Sequence, residues 1–182
     1  NDHRMGTVDR RLLCGTCCRD VKECQGHTGH IELAFPMYHI GFFDTCFKTL
    51  RCICYGCSHL LLSKDEISAL HIGEEGKARF QIVYNMVKAR KKCSHCGMPQ
   101  PTYVRLTHSI RADWLPEADW ESMEEKEYCL LPFTQRDALS ILTHIPNDHK
   151  TVLGFNEFCN PKDMIMCTVL VPPPVARPAI MA

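Results

Sequence analysis

The sequence predicts an α+β chain whose short helices and strands are stapled by two metal ions. Three observations carry this expectation. Cysteine and histidine fall into two four-residue sets with knuckle spacing. Apolar residues recur at strand period in some short runs and at helix period in others. They also make up 45% of the 182 residues, enough for a packed core.

The first set is Cys14, Cys17, Cys24 and His27 in the stretch CGTCCRDVKECQGH, two pairs each separated by two residues. A tetrahedral Zn²⁺ requires soft sulfur and nitrogen ligands delivered by two short turns, and this spacing delivers them. The second set is Cys54 and Cys57 with Cys93 and Cys96, two C-x2-C knuckles 35 residues apart. These would close an all-thiolate site. Neighbouring residues leave the exact ligands open, since Cys18, His30 or Cys52 can stand in for Cys17, His27 or Cys54. Four protein ligands leave no position for water, so both sites are expected to be structural rather than catalytic. His30-Ile31-Glu32 does match the H-x-E of zinc deaminases, but neither C-x2-C pair of the second set is preceded by the proline of their P-C-x-x-C.

Thirteen cysteines would suggest disulfides in a secreted protein. The number is odd, no signal peptide is evident, and no apolar run approaches the roughly 18 residues of a membrane span. An intracellular, reducing compartment is therefore expected. The opening residues Asn1 to Gly6 include no initiator methionine and read as the interior of a longer protein. Formal charge is zero, and seven bound thiolates with two Zn²⁺ would bring it to about −3. A generally basic nucleic-acid binder is thereby excluded. Charge is nonetheless uneven: Lys77 to Lys92 holds six basic residues and no carboxylate, whereas Arg111 to Glu127 holds seven carboxylates and two basic residues. The basic segment is a candidate face for a polyanion.

Ile31 to Phe35 reads as a strand ended by Pro36, with Glu32 pointing away from its apolar side. Phe43, Phe47, Leu50 and Cys54 recur at helical spacing and lead into the second metal set. Lys64 to Leu70 is a short helix, and Gly73 and Gly76 mark a loop. Phe80, Val83, Tyr84 and Val87 form one face of a helix running into Lys88 to Lys92, where cations in a last turn suit the negative end of the dipole. Thr102 to Leu106 and Ile110 to Leu115 read as strands, followed by an acidic loop. Thr134 with Asp137 resembles a capping box for a helix carrying Leu139, Leu142 and Ile145. Asn147 to Leu153 is a helix closed by Gly154, and Asn160-Pro161 starts one more turn. Met166 to Val171 is a strand, and Pro172 to Pro174 should continue as an extended strap.

No Gly-rich phosphate loop, G-x-S-x-G or D-x-D pair is present. The sequence contains Asp2-His3-Arg4-Met5-Gly6-Thr7-Val8-Asp9-Arg10, the C-x2-C-x6-C-x2-H from Cys14, Gly29-His30-Ile31-Glu32-Leu33-Ala34 and His39-Ile40-Gly41-Phe42. Leu50-Arg51-Cys52-Ile53-Cys54, Gly154-Phe155-Asn156-Glu157, Met164-Ile165 and the run from Thr168 to Pro178 follow, over nearly the whole chain. In these motifs and their order it resembles the N-terminal part of the largest subunit of multi-subunit DNA-directed RNA polymerases, most closely RNA polymerase II.

That resemblance implies a zinc-stapled clamp: a clamp core with a sheet and zinc ribbon from residues 1–41 and the return strand and proline strap 169–182, and a helical clamp head from 42–168. It implies closure over a cleft to hold DNA and the RNA–DNA hybrid, with Arg10, Arg11 and Arg19 and Lys88, Arg90, Lys91 and Lys92 as candidate phosphate contacts. Other polymerase subunits, including the second-largest, and transcription factors docking on the clamp are the implied partners. Zn²⁺ at the two sites is the implied cofactor, and the catalytic Mg²⁺ would be held elsewhere in the subunit. The close Cys93–Cys96 pair and Asp163 in place of an aromatic residue depart from the family pattern and suggest a divergent eukaryote or a large DNA virus. The expected location is the nucleus, or a cytoplasmic factory if viral. The alternative is a free-standing zinc-ribbon module that binds other proteins. Sequential rather than interleaved ligand pairs argue against a RING.

Overall fold

The computed structural model describes residues 2–69, 76–114, 132–156 and 158–177, and shows mixed short helices and strands. They divide into two compact units, one of residues 1–34 with 167–182 and one of residues 35–166. Sequence readings at Gly73, Leu115, the acidic stretch to Glu127, Glu157 and Pro178 lie outside the described residues.

In the first unit the chain makes a 3-10 turn at His3–Met5, capped when the Asp2 carboxylate accepts the Arg4 N–H at 2.9 Å. The metal-ligand stretch follows, and then strand β1 (Gly29–Tyr38), which pairs with β4 (Ile165–Val171) in a two-stranded sheet. Pro36 therefore does not end the strand. A strand with a single partner needs its N–H groups on one side only, so a proline on the other costs no ladder bond. The proline run does not stay extended either: after Pro173 the chain closes into a 3-10 turn at Pro174–Ala176, with the Ala176 N–H donating to the Pro173 carbonyl at 3.0 Å.

The second unit holds the apolar core. Helix α1 (Phe43–Leu50) buries Phe43, Cys46, Thr49 and Leu50 at helical spacing. It stops four residues before Cys54, because Cys52 N–H turns back to the Thr49 carbonyl at 2.9 Å and frees Ile53 and Cys54 for an extended entry into the knuckle. Helix α2 (Lys64–Ala69) begins with a capping box that the sequence reading did not name: Ser63 N–H donates to Glu66 Oε2 at 2.7 Å, and Glu66 N–H to Ser63 Oγ at 3.3 Å. Helix α3 (Gly76–Val87) buries Val83 and Val87 and ends there. The Lys88–Lys92 cluster thus lies beyond the last turn rather than within it. Strands β2 (Thr102–Arg105) and β3 (Ile110–Asp113) form an antiparallel hairpin. Helix α4 (Gln135–Thr143) has the expected capping box between Thr134 and Asp137 in full. Helix α5 (Asn147–Val152) is followed by Gly154 at φ 83°, the left-handed position that favours glycine. Asn160 then caps the turn Pro161–Met164.

Leu50, Ile53, Leu60, Leu61, Val83, Val87, Leu142 and Leu153 pack as one cluster with Cys54 and Cys93 inside it. The second ligand set is therefore anchored in hydrophobic packing. No described helix is long and apolar enough to cross a membrane.

Candidate metal centres

Three of the C-x2-C turns are copies of one backbone design. In each, the N–H of the residue after the second cysteine returns to the carbonyl of the first: Cys18 to Cys14 at 2.8 Å, Ser58 to Cys54 at 3.1 Å, and Gly97 to Cys93 at 3.0 Å. The first cysteine's own N–H crosses to the far strand, to Arg19, His59 and Met98 respectively, at 2.8–2.9 Å. Closing so tight a turn requires a left-handed residue at its exit, and Cys18, Ser58 and Gly97 have φ of 55°, 56° and 76°. Amides inside the turn then face the first sulfur, as Thr16 N–H does toward Cys14 Sγ and His95 N–H toward Cys93 Sγ, both at 3.4 Å.

The fourth ligand pair is built differently. Cys24 N–H closes on the Asp20 carbonyl at 3.0 Å, and His27 N–H on the Met5 carbonyl at 3.0 Å. Between them Gly26, at φ 84°, has Pro173 and Val175 so close that an added Cβ would stand 2.6 and 2.8 Å from them. Glycine is required there for backbone conformation and for space, and the end of the chain packs against the ligand turn.

These turns gather the eight singled-out residues into two groups, Cys14, Cys17, Cys24 and His27, and Cys54, Cys57, Cys93 and Cys96, with donor atoms of each group within 4.8 Å of one another. The measured edges are 3.7 Å for Cys24 Sγ to His27 Nε2, 3.5 Å for Cys54 Sγ to Cys96 Sγ, and 3.8 Å for Cys57 Sγ to Cys93 Sγ. Around a tetrahedral ion with Zn–S of about 2.3 Å, donor atoms stand roughly 3.8 Å apart, whereas a disulfide would bring them to about 2.05 Å. The separations fit a shared four-coordinate ion and exclude bonding between the sulfurs. The two groups follow one another along the chain without interleaving.

The electrostatics indicate the same need for a cation. Amides of Cys17 and Thr16 hold the Cys14 thiol down to about 6. Burial pushes Cys54 up to about 11 and raises Cys57 further, and the neighbouring cysteines add to both shifts. At Cys93 burial acts upward, but the amides of Cys96 and His95 prevail and the thiol is lowered. Four thiols this close do not ionise together unless a positive ion joins them, and a bound Zn²⁺ deprotonates its ligands outright.

The alternative ligands stand outside both groups. Cys18 is exposed at the turn exit, and His30 and Glu32 lie exposed on β1. Cys52 is a fully buried thiol pushed up to about 12 by burial, and Cys46 is pushed to the same value, so both behave as small apolar core residues. A residue that sequence reading missed is Gln100. Its buried amide donates to Cys54 Sγ at 3.2 Å and to the Met98 carbonyl at 2.9 Å, while its oxygen accepts the Tyr55 N–H at 2.9 Å. It ties one knuckle to the other and supports Cys54, a candidate ligand, from behind. Nothing in the spacing of a lone glutamine marks it for that task.

Substitutions at the turn exits separate backbone strain from packing. Gly97→Ala is expected to cost about 1 kcal/mol, because left-handed φ penalises any Cβ by roughly that much. Space is not the cause, since nothing lies within 4 Å of where that Cβ would be. Ser58→Gly, at the equivalent position, should be neutral or raise the urea midpoint. The paired midpoints check this, and equal losses in both variants would contradict it.

Of the candidate phosphate contacts, Arg10, Arg11, Arg19, Lys88, Lys91 and Lys92 are exposed, whereas Arg90 is half-buried and ion-paired with Glu66. The backbone amide of Ser63 holds the Glu66 carboxyl below its usual range, and Arg90 adds to that effect. Arg90 is therefore largely neutralised within its own unit.

A family model described as RNA polymerase Rpb1, domain 1, matches residues 1–182. The chain belongs to this family. Within the Rpb1 domain 1 family it is 34% identical over 194 residues to the DNA-directed RNA polymerase II subunit RPB1 of Euplotoides octocarinatus, covering 99% of the chain and 40% of that protein. It is 31% identical over 188 residues to the DNA-directed RNA polymerase subunit Rpo1N of Methanocaldococcus jannaschii, covering 98% of the chain and 13% of that protein. The chain thus spans less than half the length of these relatives.

Proposed function

We propose that the chain is the N-terminal clamp segment of the largest subunit of a DNA-directed RNA polymerase, closing over the cleft to hold DNA and the RNA–DNA hybrid. The observation that carries the reading is the family match from the first residue to the last. Residues 1–41 and 169–182 form the clamp core and 42–168 the clamp head. Cys14, Cys17, Cys24 and His27 hold one Zn²⁺, and Cys54, Cys57, Cys93 and Cys96 hold the other. Both ions are structural, because four protein donors fill a tetrahedral shell. Nucleotidyl transfer belongs to the complete subunit, with catalytic Mg²⁺ held outside this segment. Other polymerase subunits, the second-largest among them, and clamp-docking transcription factors are its partners. Likeness to an RNA polymerase II subunit favours the nucleus.

The segment itself contributes stiffness and charge. Arg10, Arg11, Arg19, Lys88, Lys91 and Lys92 meet phosphates without reading sequence, and Arg90 contributes less because Glu66 engages it. The purified zinc-loaded chain should bind duplex DNA weakly, without sequence preference, and lose it by about 200 mM salt. Tight, salt-resistant or sequence-selective binding would overturn this reading. A free-standing protein-interaction module would show no such binding, and a zinc deaminase would carry one Zn²⁺ per chain and lose activity on Glu32→Ala.

A further inference from the structure

Behind the second metal centre lies a cavity of about 300 Å³ between the ends of α1 and α3 and the start of β2. Arg51, Lys88, Arg90 and Lys91 line it, and no carboxylate does. Arg90 is paired with Glu66. The other three cations meet no carboxylate among the described residues. Arg51 is held in place by neutral groups: Nη1 donates to the Tyr84 hydroxyl at 2.7 Å and Nη2 to the Lys88 carbonyl at 3.2 Å. Its guanidinium also lies 5.4 Å from the Tyr84 ring centre and 5.7 Å from that of Phe47. Two N–H groups are thereby engaged of the five that a guanidinium offers.

A preoriented arginine with unused donors, flanked by two lysines in a concave site, is built to take an oxyanion. The charge of that anion can be narrowed. The C-terminal ends of α1 and α3 border the cavity, and each contributes roughly half a negative charge. This field offsets part of the cationic set and penalises a phosphate monoester of charge about −1.5 to −2 more than a singly charged diester. We propose that the cavity seats one phosphodiester of a nucleic-acid strand, with Arg51 as the fixed anchor and Lys88 and Lys91 closing on it. This inference rests on the nucleic-acid-holding function proposed above and adds to it a residue and a place.

The test uses the zinc-loaded chain and a single-stranded DNA oligonucleotide, measuring log K against log salt for wild type, Arg51→Gln, Lys91→Gln and Arg10→Gln. Loss of one phosphate contact lowers the magnitude of the slope by about 0.7 on single strands. Arg51→Gln and Lys91→Gln should each show that drop at unchanged zinc content. Lys91→Gln keeps the test valid if Arg51→Gln perturbs the end of α3. If both leave the slope unchanged while Arg10→Gln lowers it, the cavity is not a phosphate seat and the clamp reading survives. If wild type shows no salt-dependent binding, the clamp reading fails and takes this inference with it. Preference for a phosphoserine peptide over the oligonucleotide, lost in Arg51→Gln, would overturn the diester assignment alone.

Discussion

Stripping the metal with a strong chelator is expected to abolish the fold of the first unit while leaving a helical remnant of the second. In the first unit Cys14, Cys24 and Pro174 are the buried apolar residues among those described, and both cysteines belong to the candidate metal group. Burial of a side chain contributes about 1.5–3 kcal/mol, whereas ordering each residue costs about 1–2 kcal/mol. These three buried side chains cannot offset the ordering of residues 2–34 and 167–177. The roughly 10–16 kcal/mol available from a structural Zn²⁺ is the term that can. Amide exchange reads this directly. The N–H groups of Cys18, Cys24 and His27, bonded to Cys14, Asp20 and Met5 carbonyls, should exchange at unfolded rates after chelation. Those within α4 should keep part of their protection. Cys14→Ser should reproduce the first effect and lower zinc content from two ions to one, and wild-type content in that variant would refute the ligand assignment.

Leu142→Ala should destabilise the second unit by about 3–5 kcal/mol, the range for emptying a packed leucine site. Leu142 is fully buried in α4 against the cluster that contains Leu50, Ile53 and Leu61. A loss of that size takes a large share of the roughly 5–15 kcal/mol typical of a domain. Urea unfolding followed by far-ultraviolet circular dichroism would measure it. Phe158→Ala, at a side chain of the same unit that is 91% exposed, is the control and should move the midpoint little. Comparable losses in both would mean that the apolar cluster is not what holds this unit together.

The knuckles were legible because metal ligation forces cysteine into a fixed spacing that composition alone does not produce. Helix caps such as Thr134 with Asp137 were legible for a similar reason, since each satisfies named backbone donors from short range. What escaped reading depends on partners far along the chain. Pro36 lies within a strand whose partner, β4, comes more than a hundred residues later. Gln100 gains its role from Cys54 and Tyr55, 46 and 45 residues away. Cys18 looked like a spare ligand, yet its backbone, in the left-handed exit of the turn, gives it a purpose unrelated to its sulfur. A glycine there, as at Gly97, would have announced the turn.

The two ligand sets differ in how far apart their members stand along the chain, and this gives the centres different biosynthetic histories. Cys14 to His27 leave the ribosome almost together, so one short stretch of nascent chain carries all four donor atoms. Cys54 and Cys57 must wait for Cys93 and Cys96, and meet them only once α2, α3 and the residues between have been synthesised and gathered. An ion at the second centre would therefore complete its shell only after Cys96 has been made, a later event than at the first, and would close the longer loop.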